Sequence, residues 1–319
     1  MNPDFRSIAT NGIKLRAVVK GEGPLVVLVH GFPESWYSWR HQLEPLAKAG
    51  FTACAIDVRG YGGSDKPHAV EAYDMASMTA DVAGVIDALS PEAPAVIVGH
   101  DWGAPIVWNT ALLYPHKVRA VAGFSVPYVG VGARPFLELV DELFTKRGLF
   151  FYQVYFQKEG VAEAELEADV RAFVRKCFYA WGGQGSWPAL KPIDQKLLDG
   201  LPDPDPLPAW MSEADVDYYT HEFEQSGLRG PLNRYRNNKR DWEQAQLVKD
   251  RKIEQPALFI AGDRDPVLKM FPGLDLVQLM QPHMSDLRGV HRLPGVGHWT
   301  QQEAPEAVNR LLLDWLASL

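Results

Sequence analysis

One carboxylate lies at the centre of a short motif bounded by glycines, Gly99-His100-Asp101-Trp102-Gly103. The motif follows an apolar run and precedes a stretch with a helical pattern. Glycine on each side of the central residue allows the sharp strand-to-helix turn that exposes a nucleophile above a sheet. The N-terminus of the following helix favours negative charge at this point. We therefore predict that Asp101 is a nucleophile; the alternative, a simple helix N-cap, leaves the two glycines unexplained.

An aspartate in this position limits the chemistry of the site. A carboxylate attacks saturated carbon by displacement and leaves an alkyl ester on the enzyme. The substrate must then offer an electrophilic sp³ carbon with a leaving group. Epoxides and alkyl halides therefore come before esters and amides as candidate substrates.

Hydrolysis of such an ester needs a base that activates water, and His298 has the right context for it. It lies in the sequence GVGHW at 295–299, after the last predicted strand. Its orienting acid should follow an earlier strand, where residues 257–266 offer Asp263 and Asp265. The order nucleophile, acid, histidine along the chain is that of α/β-hydrolases. His298 must be neutral to accept a proton, and the acid should hold its tautomer.

The carbonyl of the ester becomes an oxyanion during hydrolysis and requires preorganised donors. His30-Gly31-Phe32-Pro33 follows the first predicted parallel strand, where an oxyanion loop belongs. We predict that the donors are the backbone N–H groups of Phe32 and Trp102. A plain turn built on the glycine and proline is the alternative.

The elements that would position these residues alternate along the chain. A β-hairpin is predicted at 5–19, with Asn11 and Gly12 in its turn. Apolar runs without alternation follow at 25–30, 52–57, 95–100 and 118–126, as in strands buried on both faces. Helical patterns lie between them, at 36–49 and 75–89. This succession predicts a doubly wound α/β sheet.

The alternation stops at about Pro127 and resumes after Leu247. The residues between carry helical patterns and proline-rich loops, and strand patterns return at 257–261 and 290–293, before a helix at 303–319. We predict an α/β-hydrolase fold, with a mostly parallel central sheet and an inserted helical lid, or cap. The core would comprise 1–127 and 248–319, and the cap 128–247.

Composition and charge exclude several classes of function. The chain is 46% hydrophobic and 23% charged, with a formal net charge of -8, which argues against a nucleic-acid or anionic-membrane binder. It has two cysteines and no apolar run long enough to span a bilayer, and its first residues lack the apolar run of a signal peptide, so we expect none. We expect a cytoplasmic enzyme. No metal-ligand or cofactor-binding motif occurs, so substrate and water are the only partners that the chemistry needs.

Five segments resemble the soluble epoxide hydrolases, from about Phe5 to the C-terminus. Three belong to the predicted core: HGFPESWYSW at 30–39, DVRGYGGS at 57–64 and GHDWGAP at 99–105. Two belong to the predicted lid: YQVYFQ at 152–157, with the acidic stretch after it, and GPLNRYRN at 230–237. The likeness is to the hydrolase domain of the mammalian enzyme and to single-domain bacterial relatives. We expect the mammalian N-terminal phosphatase domain to be absent.

The resemblance implies roles that the residues alone did not settle. Two lid tyrosines, Tyr152 and Tyr235, would hydrogen-bond the epoxide oxygen, and a phenol can protonate that oxygen as the ring opens. Asp265 would be the acid, with Asp263 a loop residue. The substrate pocket would be lined by Phe32, Trp102 and Trp299, with a contribution from Gln153. Dimers occur among relatives, so a homodimer is compatible with the resemblance, although no residue here demonstrates one.

Two other functions compete with this one. A haloalkane dehalogenase shares the aspartate nucleophile, but many such enzymes carry asparagine where this chain has Phe32. A catalytically idle ligand receptor would have no need of Asp101, Asp265 and His298 together with both tyrosines. The sequence therefore favours an epoxide hydrolase that forms an ester on Asp101.

Overall fold

The computed structural model describes residues 4–188, 190–271 and 273–319. Within this part of the chain, eight strands form one sheet in the order β1-β2-β4-β3-β5-β6-β7-β8. Their bounds are β1 Phe5–Thr10, β2 Ile13–Lys20, β3 Leu25–Val29, β4 Thr52–Ile56, β5 Ala95–His100, β6 Val118–Phe124, β7 Ile253–Gly262 and β8 Met284–Leu293.

Only β2 runs opposite to the other strands of the sheet. Strands β1 and β2 form an antiparallel hairpin, and β2 is also antiparallel to β4. From β4 to β8 every neighbouring pair is parallel. The carboxyl ends of β3, β5, β7 and β8 therefore lie at the same edge, where the loops that follow them can meet.

Helices separate the parallel strands along the chain. Between β6 and β7 a larger group, α4 to α10, is inserted. The bounds are α1 Arg40–Lys48, α2 Met75–Leu89, α3 Gly103–Leu113, α4 Phe136–Leu143, α5 Tyr152–Tyr155, α6 Val161–Leu166, α7 Val170–Trp181, α8 Glu213–Ser226, α9 Arg229–Tyr235, α10 Asn238–Ala245, α11 Leu276–Met280, α12 Thr300–Glu303 and α13 Pro305–Ala317.

Both faces of the sheet are covered by apolar layers, as expected for parallel strands. Successive residues of a strand point to opposite faces, so Val27 of β3 packs with α2 and α3, whereas Leu28 packs with α1 and α13. The inserted helices α5 to α8 continue the first of these two layers. The carboxyl ends of the strands thus lie beside an apolar layer formed by the inserted helices.

The predicted fold class is confirmed, and several elements match closely. Helix α2 has the predicted bounds of 75–89. Strand β8, however, begins at Met284 rather than at 290. It lies at the edge of the sheet, and its first half carries Asp286 and Arg288, so the apolar run that indicates a buried strand is missing there. In the described ranges no helix is both long and apolar enough to cross a membrane.

Candidate active site

The nucleophile motif forms the turn between β5 and α3. Asp101 has a φ of 49°, in the left-handed region that non-glycine residues rarely occupy. A Cβ atom on Gly99 would overlap the carbonyl of Gly103, and one on Gly103 would overlap the carbonyl of Val29 in β3. Both glycines are therefore required for close backbone packing, which holds Asp101 in a strained conformation at the carboxyl end of β5.

The loop after β3 lies directly against the Asp101 carboxylate. The Phe32 N–H group donates to Asp101 Oδ1 at 2.7 Å. A Cβ atom on Gly31 would contact the same carboxylate and would lie 2.6 Å from the Trp102 nitrogen. Because Gly31 has no side chain, the carboxylate and the Trp102 amide can both approach this loop.

His298 reaches the carboxylate from the loop after β8. Its Nε2 atom lies 3.3 Å from Asp101 Oδ2, and its Nδ1 atom lies 3.1 Å from both carboxylate oxygens of Asp265. Asp265 is fully buried and also accepts a hydrogen bond from the Val267 N–H group at 2.8 Å. Asp263 instead accepts from the Gly295 N–H group at 2.8 Å and anchors the loop. Contact with His298 thus distinguishes the two aspartates.

The three side chains form a buried array of charges. Burial alone would lower the pKa of His298, but the charge of Asp265 and the contacts with Asp101 raise it well above its usual value. Burial would raise the pKa of Asp101, but the hydrogen bond and charge of His298 lower it instead. At neutral pH the geometry therefore favours a protonated imidazole between two carboxylates.

A second buried pair, Glu34 and His100, lies beneath this array. His100 Nδ1 donates to Glu34 Oε2 at 2.7 Å, and both side chains are fully buried. His100 Nε2 donates to the backbone carbonyl of His298 at 2.7 Å. Glu34 also accepts from the Gly31 N–H group at 3.0 Å. The pair therefore connects the loops that carry Phe32, Asp101 and His298. Glu34 and His100 both lie within motifs that resemble the epoxide hydrolases, but no feature of the sequence indicates that they contact each other.

The backbone around His298 is held from two further sides. The His298 N–H group donates to the carbonyl of Trp181, the last residue of α7, at 2.9 Å. The half-buried side chain of Glu303 accepts from the N–H groups of Gly297 and Trp299, each at 3.0 Å. It also accepts from Gly183 at 2.8 Å, so the inserted segment is attached to the histidine loop. Neither Trp181 nor Glu303 was among the predicted site residues, because a residue that binds the backbone has no motif of its own.

The two tyrosines come from different inserted helices, α5 and α9, and meet near Asp101. The rings of Tyr152 and Tyr235 lie 5.9 Å apart, edge to face. Gln153 Nε2 donates to the Tyr152 hydroxyl at 3.0 Å, which leaves the hydroxyl proton free to donate elsewhere. Burial, followed by the charge of Asp101, raises the pKa of both phenols. Each is therefore protonated at neutral pH.

Of the predicted pocket residues, Phe32 and Trp102 contact Tyr235, whereas Trp299 packs against Phe178. Phe32 is fully buried, and its ring meets Tyr235 edge to face at 5.4 Å. The half-buried ring of Trp102 meets Tyr235 at 5.2 Å. Trp299 is fully buried, stacks on Phe178 at 4.4 Å and donates its indole N–H to the Phe178 carbonyl. Its contact with substrate, like that of Gln153, stays a prediction.

Among the described residues, no group of three or more His, Cys, Asp or Glu side chains is placed so that it could hold a metal ion. The arrangement of Asp101, His298 and Asp265 can instead perform covalent chemistry with water. The carboxylate of Asp101 is positioned to attack carbon, a backbone donor stabilises one of its oxygens, and an imidazole lies beside the other.

Comparisons with known proteins show which family this chain belongs to. A family model for the alpha/beta hydrolase fold matches residues 24–305. Epoxide hydrolase A of Mycobacterium tuberculosis is 42% identical, with 99% of this chain and 98% of that protein aligned. Among solved structures, an epoxide hydrolase from an endophytic Streptomyces has a TM-score of 0.92 and 46% identity, over 98% of this chain and 95% of that one. Epoxide hydrolase A from Mycobacterium thermoresistibile has a TM-score of 0.91 and 44% identity, over 99% and 98%.

Proposed function

Since this chain belongs to the α/β-hydrolase fold family and, within it, to the epoxide hydrolases, we propose that it opens an epoxide with water to a vicinal diol through an ester on Asp101. The observation that carries this proposal is the position of His298, whose Nε2 atom lies 3.3 Å from Asp101 and whose Nδ1 atom faces Asp265. A carboxylate nucleophile with an adjacent, oriented base fits formation and hydrolysis of an ester.

In the first step Asp101 attacks one carbon of the epoxide ring. Its Oδ1 atom accepts a hydrogen bond from Phe32, so Oδ2 is the oxygen that we assign to the attack. The C–O bond of the ring breaks, and the oxygen that leaves takes a proton from Tyr152 or Tyr235. An alkoxide is a poor leaving group, and the two buried, protonated phenols supply the proton that it needs. The product is a hydroxyalkyl ester on Asp101.

In the second step water attacks the carbonyl carbon of that ester while His298 takes a proton from the water. Asp265 holds the imidazole and stabilises its positive charge. The oxyanion rests on the amides of Phe32 and Trp102. Before this step the tyrosinate takes back a proton as the imidazole of His298 loses its own. When the tetrahedral intermediate collapses, the alkoxide of the diol takes the proton from His298, and the new carboxyl group of Asp101 then gives its remaining proton to the imidazole, which restores the carboxylate.

Other assignments complete the proposal. We place the division between core and cap at 1–127 with 248–319 and at 128–247, on the support of the helices α4 to α10 between β6 and β7. A pocket formed by Phe32, Trp102, Gln153 and Trp299 would bind the epoxide. A homodimer and a cytoplasmic location stay predictions from the sequence.

The test is diol formation from terminal, aryl and fatty epoxides, with halide release from a chloroalkane measured alongside. We expect the wild-type protein to form diol and the Asp101→Asn variant to form none. Halide release without diol would assign the protein to the dehalogenases instead, and neither product would favour a ligand receptor.

The route is tested by a single turnover in labelled water. If the ester is an intermediate, the label appears first in the carboxylate of Asp101, because water attacks the ester carbonyl. Label found directly in the diol would contradict the covalent route, since water would then have opened the epoxide itself.

A further inference from the structure

Arg234 is a buried cation next to one of the proposed acids. It directly precedes Tyr235 in α9, and only 1% of its side chain is exposed. A charged side chain is rarely buried so deeply unless it is paired. None of the steps proposed above uses this charge.

The guanidinium of Arg234 packs over an aromatic ring. Its Cζ atom lies 4.6 Å from the ring centre of Trp102, the residue that follows Asp101. Two of its nitrogens donate to the carbonyl of Tyr73 and to the carboxylate of Asp241. Its Nε atom is buried without a hydrogen-bond partner among the described residues. The cation is thus held over the ring of Trp102.

Trp102 connects this cation to the phenol of Tyr235. Its ring meets the ring of Tyr235 at 5.2 Å and 82°, edge to face. A cation above the face of an indole draws electron density toward that face and makes the edge of the ring more positive. Burial and the charge of Asp101 raise the pKa of Tyr235, whereas the Trp102 side chain acts in the opposite direction.

The charge of Arg234 faces two carboxylates at the start of α2: that of Asp74, which accepts from the Ser77 N–H group, and that of its ion-pair partner Asp241. Its other oxygen accepts from the Met75 N–H group at 2.7 Å, at the start of α2, where the helix dipole offsets negative charge. Asp241 is also more exposed to solvent than Arg234, with 16% of its side chain accessible. Burial lowers the pKa of Arg234 to about 10, so the side chain stays charged at neutral pH.

We propose that Arg234 is a positioning residue for ring opening, whose buried charge acts through the Trp102 ring to favour proton transfer from Tyr235. This inference rests on the proposed function, because it requires an epoxide oxygen that takes this proton. As the ring opens, the phenol of Tyr235 loses its proton and gains negative charge. A cation held one ring away stabilises that charge without contact with the substrate.

The experiment measures the rate of ester formation in a His298→Gln background, where the second step is blocked and the adduct is followed by mass. Arg234→Met removes the charge at similar length, and Arg234→Lys retains it. We expect the Met variant to form the adduct about tenfold more slowly with an alkyl oxirane. The Lys variant should recover most of that loss. With trifluoromethyl oxirane, whose alkoxide is a weaker base, the Met variant should be slowed much less.

Asp241→Asn is the matched control. It removes the partner of Arg234 but leaves the cation over Trp102, so we expect ester formation to continue at the parent rate. If this variant slows the reaction as much as Arg234→Met does, the ion pair matters only as an anchor and the inference is wrong. Equal slowing with both oxiranes, or a Lys variant as slow as the Met variant, would overturn it as well.

Two further outcomes separate the inference from the proposed function. If the His298→Gln parent forms no adduct, the covalent route itself fails. If the parent forms adduct and Arg234→Met forms it at the same rate, the route stands and the inference fails. Arg234→Gln serves as a second neutral variant if the Met variant does not fold, as judged by its thermal unfolding midpoint.

Discussion

The Nε2 atom of His298 lies 3.3 Å from Oδ2 of Asp101, so the proposed base contacts the proposed nucleophile. Against the effect of burial, the charges of Asp265 and Asp101 hold the pKa of His298 well above its usual value. Alkylation turns Asp101 into a neutral ester and removes one of these charges, so the pKa of His298 must fall. The imidazole therefore becomes a competent base at the stage of the reaction that requires one.

Replacement of His298 by glutamine should trap the ester. The variant keeps the nucleophile and its oxyanion donors but has no base to activate water, so the protein should gain the mass of one epoxide after mixing. Intact-protein mass spectrometry measures the adduct. An Asp101→Asn, His298→Gln double variant is the control and should gain nothing. A His298→Gln variant that turns over epoxide without any adduct would contradict a covalent intermediate.

Replacement of both Tyr152 and Tyr235 by phenylalanine should reduce the rate of ester formation by roughly a hundredfold or more, the usual contribution of a general acid. The rate is measured in a single turnover with enzyme in excess. Tyr155→Phe is the matched control, because the Tyr155 hydroxyl donates to Glu165 at 2.8 Å in the same helical region. A near-normal rate in the double variant would mean that another acid protonates the epoxide oxygen.

The stability that His298 contributes should depend on pH with a defined sign. Its pKa is raised in the folded protein, so its contribution is fully present below the unfolded value of about 6.5 and is lost as pH rises through the folded pKa. The difference in unfolding free energy between wild type and His298→Gln should therefore shrink from about pH 6 to about pH 9.

Urea unfolding at each pH measures this difference. In an Asp101→Asn background only Asp265 still raises the pKa of His298, so the loss should occur at a lower pH. A difference between wild type and His298→Gln that does not change over this range would show that the imidazole is not charged in the resting protein.

Glu34→Gln should destabilise the protein by about 3 kcal/mol, because it breaks a buried charged pair while leaving His100 in place. Burial would raise the pKa of Glu34, but His100 and the Gly31 amide lower it. Its contribution is therefore present above the unfolded pKa and is lost as pH falls through the folded value. Urea unfolding near neutral pH measures the change.

Glu44→Gln is the control for this prediction, because Glu44 is an exposed partner of Lys20 and Lys48. Its loss should change the unfolding free energy little. Equal effects of the two substitutions would mean that the pair of Glu34 and His100 adds nothing beyond an ordinary surface interaction.

Much of this protein could be predicted without coordinates, because the signals involved are local in the chain. Parallel strands buried on both faces are continuous apolar runs, and the turn around Asp101 needs glycine at both flanking positions for steric reasons. The order of Asp101, Asp265 and His298 follows the order of the strands. Strand β8 was predicted only in part, because an edge strand that carries charged residues lacks the apolar run.

Tertiary structure decided which residues meet, because contacts between distant segments depend on sheet register and helix packing. Contact with His298 distinguishes Asp265 from Asp263. Within α5, Tyr152 faces the ring of Tyr235, whereas the hydroxyl of Tyr155 binds Glu165.

No sequence motif indicates that Glu34 pairs with His100 or that Arg234 packs on Trp102. The fold class, the nucleophile motif and the candidates for acid and base could all be predicted from the order of residues along the chain. Which charges are buried together was decided only by folding, since burial and the partner of each charge are properties of the packed structure.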